Sequence, residues 1–202
     1  MASVYKDNMS VTLSEYYRHM QNARDRKAKV EAEYGEEAGR REAESLARQL
    51  ASIRAATVQA LDQNYEKGVE QTKAWGTLNG AHLTDDAKLL SAGLVDPEQF
   101  EELKAKYADN FTMLSALRKY GEQRNAEALQ RDGAASPGSG FLVGDIPTVK
   151  GRLEAWEKLR RGADQVMSMI EGSGQYGEGD MPTILKYTLT EVLENFGQNA
   201  PV

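Results

Sequence analysis

One periodic stretch limits what this chain can fold into more than any other feature. Leu46, Leu50, Ile53, Thr57, Leu61, Tyr65 and Val69 follow one another at steps of 4, 3, 4, 4, 4 and 4. That spacing draws a single apolar stripe along one face of an α-helix and does not fit a strand, whose period is two. Glu36–Arg40, Glu37–Arg41 and Glu44–Arg48 lie four apart and support the exposed face of the same helix. The mean step exceeds 3.5, so the stripe is not a strict left-handed heptad. It fits a helix lying in a bundle or against a partner, and Leu46, Leu50, Ile53, Leu61, Tyr65 and Val69 are the candidate self-association surface.

Upstream, the first ten residues read as a flexible lead, and Thr12-Leu13-Ser14-Glu15 matches a capping box. A helix is expected from Leu13 to Tyr34, carrying Tyr16, Tyr17, Met20 and Val30. Gly35 and Gly39 then interrupt the pattern, each costing roughly 1 kcal/mol against Ala in a helix interior. They mark a bend, a hairpin between two helices, or a weak point in one. Residues 13–75 as one helix would be about 95 Å long. A compact chain of this size has a diameter of only about 43 Å. Either the chain folds back at Gly35–Gly39, or the arm packs on other subunits.

After Gly76 the elements shorten. Thr84 is placed to cap a helix over Asp85–Ala92, with Gly93 as its stop. Asp96-Pro97-Glu98-Gln99 is a stronger start signal, with a capping Asp, Pro at the first helical position and Gln three after the cap. Its helix carries Phe100, Leu103 and Tyr107. Asp109 then opens a helix bearing Phe111, Leu114, Leu117 and Tyr120, and these three elements can share a small core. Residues 133–140, Gly133 through Gly140, read as a linker. Beyond them Phe141-Leu142-Val143 is an apolar patch suited to a strand or a docking segment, and Asp145-Ile146-Pro147 starts a helix carrying Trp156. A Gly-rich loop from Gly172 to Gly179 precedes a last helix capped by Asp180 and Pro182, with Ile184, Leu185, Leu189, Val192, Leu193 and Phe196.

The expected fold is therefore all-α: a long N-terminal helical arm or hairpin, then a small bundle of short helices. The expected division is an arm at 1–80, a helical cluster at 81–132, a linker at 133–140 and a C-terminal helical pair at 141–202. Composition agrees, because Ala, Glu, Gln, Leu, Lys and Arg dominate while Ile and Thr are scarce.

The chemistry the residues exclude is broad. With no cysteine, disulfides, thiolate metal sites and a Cys nucleophile are ruled out. No apolar run approaches the roughly 20 residues of a membrane helix and no signal peptide opens the chain, so a soluble protein without a membrane partner is expected. The net charge of -6 comes entirely from residues 81–202, since the first 80 balance. Arg18, Arg24, Arg26, Lys27 and Lys29 form the one basic cluster, read as a solvated helix face, and the acidic remainder argues against nucleic-acid binding. Gly172-Ser173-Gly174-Gln175-Tyr176-Gly177 matches G-x-G-x-x-G but follows a helix rather than a strand, with Glu178 and Asp180 set to repel a pyrophosphate. Asp62-x-Asn64-x-Glu66 opens like a calcium loop and then fails, with Lys67 and Lys73 where Gly and Glu belong. His19 and His82 have no companions at metal-ligand spacing. Adjacent acids such as Asp85–Asp86 diverge by about 100° on a helix and do not form a catalytic pair. No catalytic, cofactor or metal residue is assigned.

One segment carries a likeness. Leu83-Thr84-Asp85-Asp86-Ala87-Lys88-Leu89-Leu90-Ser91-Ala92-Gly93, Asp96 through Leu103, and Asn110 through Leu117, behind a charged helical arm, resemble scaffold-type or head-associated structural proteins of tailed bacteriophages. The likeness covers roughly 40 residues and rests on general texture. It implies a homo-oligomeric assembly factor, not an enzyme, with phage coat or portal protein as partner, in the host cytoplasm or on the virion. On this reading the arm self-associates, and Phe141, Leu142, Val143 and Trp156 offer a docking surface. The alternative is a cellular helical adaptor or regulatory module that captures one protein partner.

Overall fold

The computed structural model describes residues 4–132 and 140–172. They are all-α, with no strand among the described residues. Helix α1 spans Val4–Tyr34, α2 Glu36–Trp75, α3 Asp86–Ser91, α4 Pro97–Lys106, α5 Phe111–Asp132 and α6 Val149–Gly172, with a 3-10 turn at Gly80–His82. Residues 133–139 of the expected linker lie outside the described residues, as do the last expected helix and all but Gly172 of the loop before it.

The chain folds back at Gly35. Its φ of +87° ends α1 in the left-handed region that glycine enters without steric penalty. At the fourth residue of the new helix, Gly39 lies so close to α1 that an added Cβ would sit 2.8 Å from Glu31 Cβ. Arg26 reaches across to Glu42, and the two helices form an antiparallel hairpin. Helix α1 starts earlier than its capping signal. Thr12 and Ser14 donate instead to the carbonyls of Asn8 and Ser10, one turn back, and Met9 is buried within the core. The lead is thus helical from Val4, because Met9 extends the apolar face of Leu13, Tyr16 and Tyr17 by a turn.

The chain packs as two units that differ from the expected division. Among the described residues, the first unit takes the segments 4–69 and 153–172, and the second takes 70–132 and 140–152. In the first, Met9, Leu13, Tyr16 and Tyr17 of α1 meet Leu61 of α2 and Trp156, Leu159, Ala163, Val166, Met167 and Ile170 of α6. Each such side chain contributes roughly 1.5–3 kcal/mol by leaving water. Gly68 makes the closest approach: a Cβ there would lie 2.1 Å from the Trp156 ring. Polar ties frame this core. Tyr16 OH and Arg54 Nε both donate to Glu171 Oε1 at 2.9 and 2.7 Å. Arg24 Nη2 donates to the Ile170 carbonyl, and Arg160 holds Asp62 through two nitrogens. Tyr16 is buried, and burial followed by its bond to Glu171 pushes its phenol up to about 12.

The second unit surrounds Phe100, Met113, Leu114 and Leu117, with Leu90, Val95, Tyr107, Tyr120 and Ile146. Helix α4 starts as expected, with Asp96 Oδ1 accepting from Gln99 N and Gln99 Oε1 accepting from Asp96 N. Two other caps move. Asn110, not Asp109, accepts from Met113 N ahead of α5, and Thr148 Oγ1 accepts from Gly151 N, so α6 begins three residues beyond Ile146. Trp75 lies between Phe111, at 4.8 Å between ring centroids, and the Arg152 guanidinium, 3.7 Å from its ring. Arg152 is buried, and desolvation lowers its pKa against the opposing charge of Asp109.

Candidate docking surface

Helix α3 is only six residues long, too short to persist alone, so its neighbours must hold it. The loop ahead of it is pinned by Asn79 N donating to Thr112 Oγ1 and by Asn110 Nδ2 donating to the His82 carbonyl. Thr84 does not cap the helix. Its hydroxyl pairs with Tyr107 OH at 2.7 Å, and Tyr107 OH donates in turn to Asp86 Oδ2 at 2.6 Å. Lys106 Nζ meets the same oxygen at 2.7 Å. The Lys106 ammonium and then the Tyr107 hydroxyl hold the Asp86 carboxyl below its ordinary range. At the other end, Gly93 N bonds to Leu90 O and Leu94 N to Leu89 O, closing a Schellman motif with Gly93 at φ +71°.

This frame fixes which side chains face inward. Leu90 is buried, while Leu78, Leu83, Leu89 and Leu94 are 65, 49, 44 and 69 % exposed. Four large apolar side chains on one short stretch stand in water. A groove of about 360 Å³ runs between α3 and α5. Leu83, Ala87, Leu90, Ala116 and Tyr120 line it with apolar surface, and Lys119, Gln123, Arg124 and Glu127 form its polar edge. Arg124 Nη1 pairs with Glu127 Oε2 at 3.2 Å, and Gln123 Nε2 donates to Glu127 Oε1 at 2.9 Å. Gln123 first and Arg124 second keep the Glu127 carboxyl below its ordinary value. The combination of apolar floor and mixed-charge edge suits the side chains of another polypeptide.

The side chains singled out from the sequence sit elsewhere. Leu61 is fully enclosed and Leu46 is buried, while Ile53, Tyr65 and Val69 pack against the first core. Leu50 is half-buried. The stripe thus closes on the chain's own helices, and a second copy could reach Leu61 only by displacing them. Phe141, Leu142, Val143 and Trp156 do not form one patch. Phe141 and Val143 pack on the second core, Trp156 is buried in the first, and Leu142 alone is strongly exposed. The segment at 141–143 is irregular rather than a strand, held by a double hydrogen bond between Phe141 and the Asn125 side chain, 2.8 Å each way.

His19 and His82 are both exposed. Among the described residues no group of three or more His, Asp or Glu side chains is arranged to hold a metal ion, and no helix is long and apolar enough to cross a membrane. Compared with protein-family models, with curated proteins and with solved structures, the chain matches none.

Proposed function

We propose that this chain is a non-enzymatic assembly protein of the scaffold or head-associated kind made by tailed bacteriophages, acting by self-association and by docking on a coat or portal protein. The observation that carries the reading is the exposure of Leu78, Leu83, Leu89 and Leu94 along the stretch around α3, where Leu83 also lines the α3–α5 groove. A short segment that turns several large apolar side chains to water is a candidate protein interaction site. The same stretch opens the segment, 83–120, on which the phage resemblance rests. The second support is architectural. The polar groups around α3 are engaged in holding six residues in place, which keeps an apolar surface rigid and presented, as docking requires.

The test is the solution mass by light scattering across a wide dilution series. A dimer or larger species that grows with concentration is expected. A compact monomer at every concentration overturns the self-association half of the reading.

A further inference from the structure

The outer face of α5 has an internal symmetry of charge. Lys119, Gln123 and Glu127 stand four residues apart along the groove, with Ala116 one turn before Lys119 and Tyr120 beside it. Lys119 and Glu127 are equidistant from Gln123, about 6 Å on either side along the helix axis. If a second α5 lies antiparallel on the first with a twofold axis at Gln123, Lys119 of each copy falls opposite Glu127 of the other. A twofold contact needs this self-complementarity, because one patch must serve both partners. The groove lining holds Lys119, Arg124 and Glu127, so its edge balances to within one charge, whereas the whole chain carries -6 and repels its copies.

We infer that the α3–α5 groove is the contact between two copies of this chain, packed antiparallel across Gln123 with reciprocal Lys119–Glu127 pairs. The inference rests on the self-association proposed above and names its surface and register. The apolar floor of Leu83, Ala87 and Ala116 supplies the attraction, and the charges set the register. Glu127 has room for the incoming ammonium: a carboxylate offers about four lone-pair sites, and Gln123 and Arg124 take one each.

A charge-swap series on the full chain tests the register. Lys119→Glu and Glu127→Lys are each expected to raise the dimer dissociation constant roughly tenfold, since each reversal puts two like-charged pairs across the axis. The double variant Lys119→Glu with Glu127→Lys restores opposite charges at both places and should return the constant to near the parent value. Circular dichroism confirms that each variant is folded, as expected for exposed positions. Parent-like association in both single variants, or a double variant no better than the singles, overturns the inference while leaving self-association standing. A parent protein that stays monomeric throughout overturns both.

Discussion

Replacing Gly68 by Ala sets two well-defined effects against each other. Gly68 lies inside α2, where Ala is favoured over Gly by roughly 1 kcal/mol, partly through the freer unfolded chain that Gly provides. From the helix alone, Gly68→Ala should stabilise the protein. The structure reverses the sign. A Cβ at position 68 would sit 2.1, 2.3 and 2.4 Å from Cζ2, Cε2 and Cη2 of Trp156. Carbon atoms in contact settle at about 3.5–4.0 Å, so the ring must retreat by more than about 1 Å. Trp156 is 1 % exposed and enclosed by its own cluster, so retreat pushes on Leu159, Leu61 and their neighbours. Overpacking of this kind costs about 1–3 kcal/mol, and a rigid ring places this case at the upper end. After the propensity gain, the net loss should be about 2 kcal/mol. For a chain of this size that lowers the melting temperature by roughly 4–8 °C. Urea unfolding and calorimetry of Gly68→Ala measure it directly. A variant as stable as the parent, or more stable, refutes the close packing of α2 on α6. Trp156→Phe introduced with Gly68→Ala should recover part of the loss, because the smaller ring vacates the clash.

Two further outcomes follow from single contacts. Tyr16 is held at about 12 by burial and by its bond to Glu171, whereas an unfolded tyrosine ionises near 10. Its preference for the neutral form therefore contributes fully below about pH 10 and is lost as pH rises through 10 to 12. Melting curves taken across that window should fall less steeply for Tyr16→Phe than for the parent, and parallel slopes would remove the argument. Arg152→Ala removes a desolvated guanidinium from the face of Trp75 and should cost about 1–2 kcal/mol, with tryptophan emission shifting to longer wavelength. Unchanged stability and emission would show that the stacked pair contributes nothing.

Features written within a few residues were legible in the sequence. The all-α class, the capping box at Asp96 and the stop at Gly93 depend on local pattern and local backbone chemistry, and the structure shows each. Gly35 was legible as an interruption, though its kind was not, because a hinge, a hairpin and a weak point share one signature. Misplaced helix starts have a common cause. Thr12 and Thr84 are good caps locally, but burial of Met9 and the bond from Thr84 to Tyr107 outweigh a single capping bond of about 1 kcal/mol. The stripe on α2 showed that a helix face would be covered, and could not show by what, since its partner α6 lies far downstream. The exposed leucines around α3 were hidden for the opposite reason. Leucines at 83, 89 and 94 look like core residues by type, and only the placement of α3 shows them facing water.

Among the described residues, the first unit is built from two stretches separated by those of the second, and this has a consequence for synthesis. On the ribosome, α1 and α2 emerge early, and their hairpin closes through the local turn at Gly35. Trp156, Leu159, Val166 and Ile170, which cover Leu13 and Leu61, follow about 100 residues later, or roughly 5–20 s at ordinary elongation rates. For that interval the nascent hairpin carries a bare apolar face while residues 70–152 have time to fold around Phe100 and Leu117. Copies made side by side on one message could exchange α6 segments during this pause, so the rate of translation, as well as concentration, becomes a variable in how this protein partners with itself.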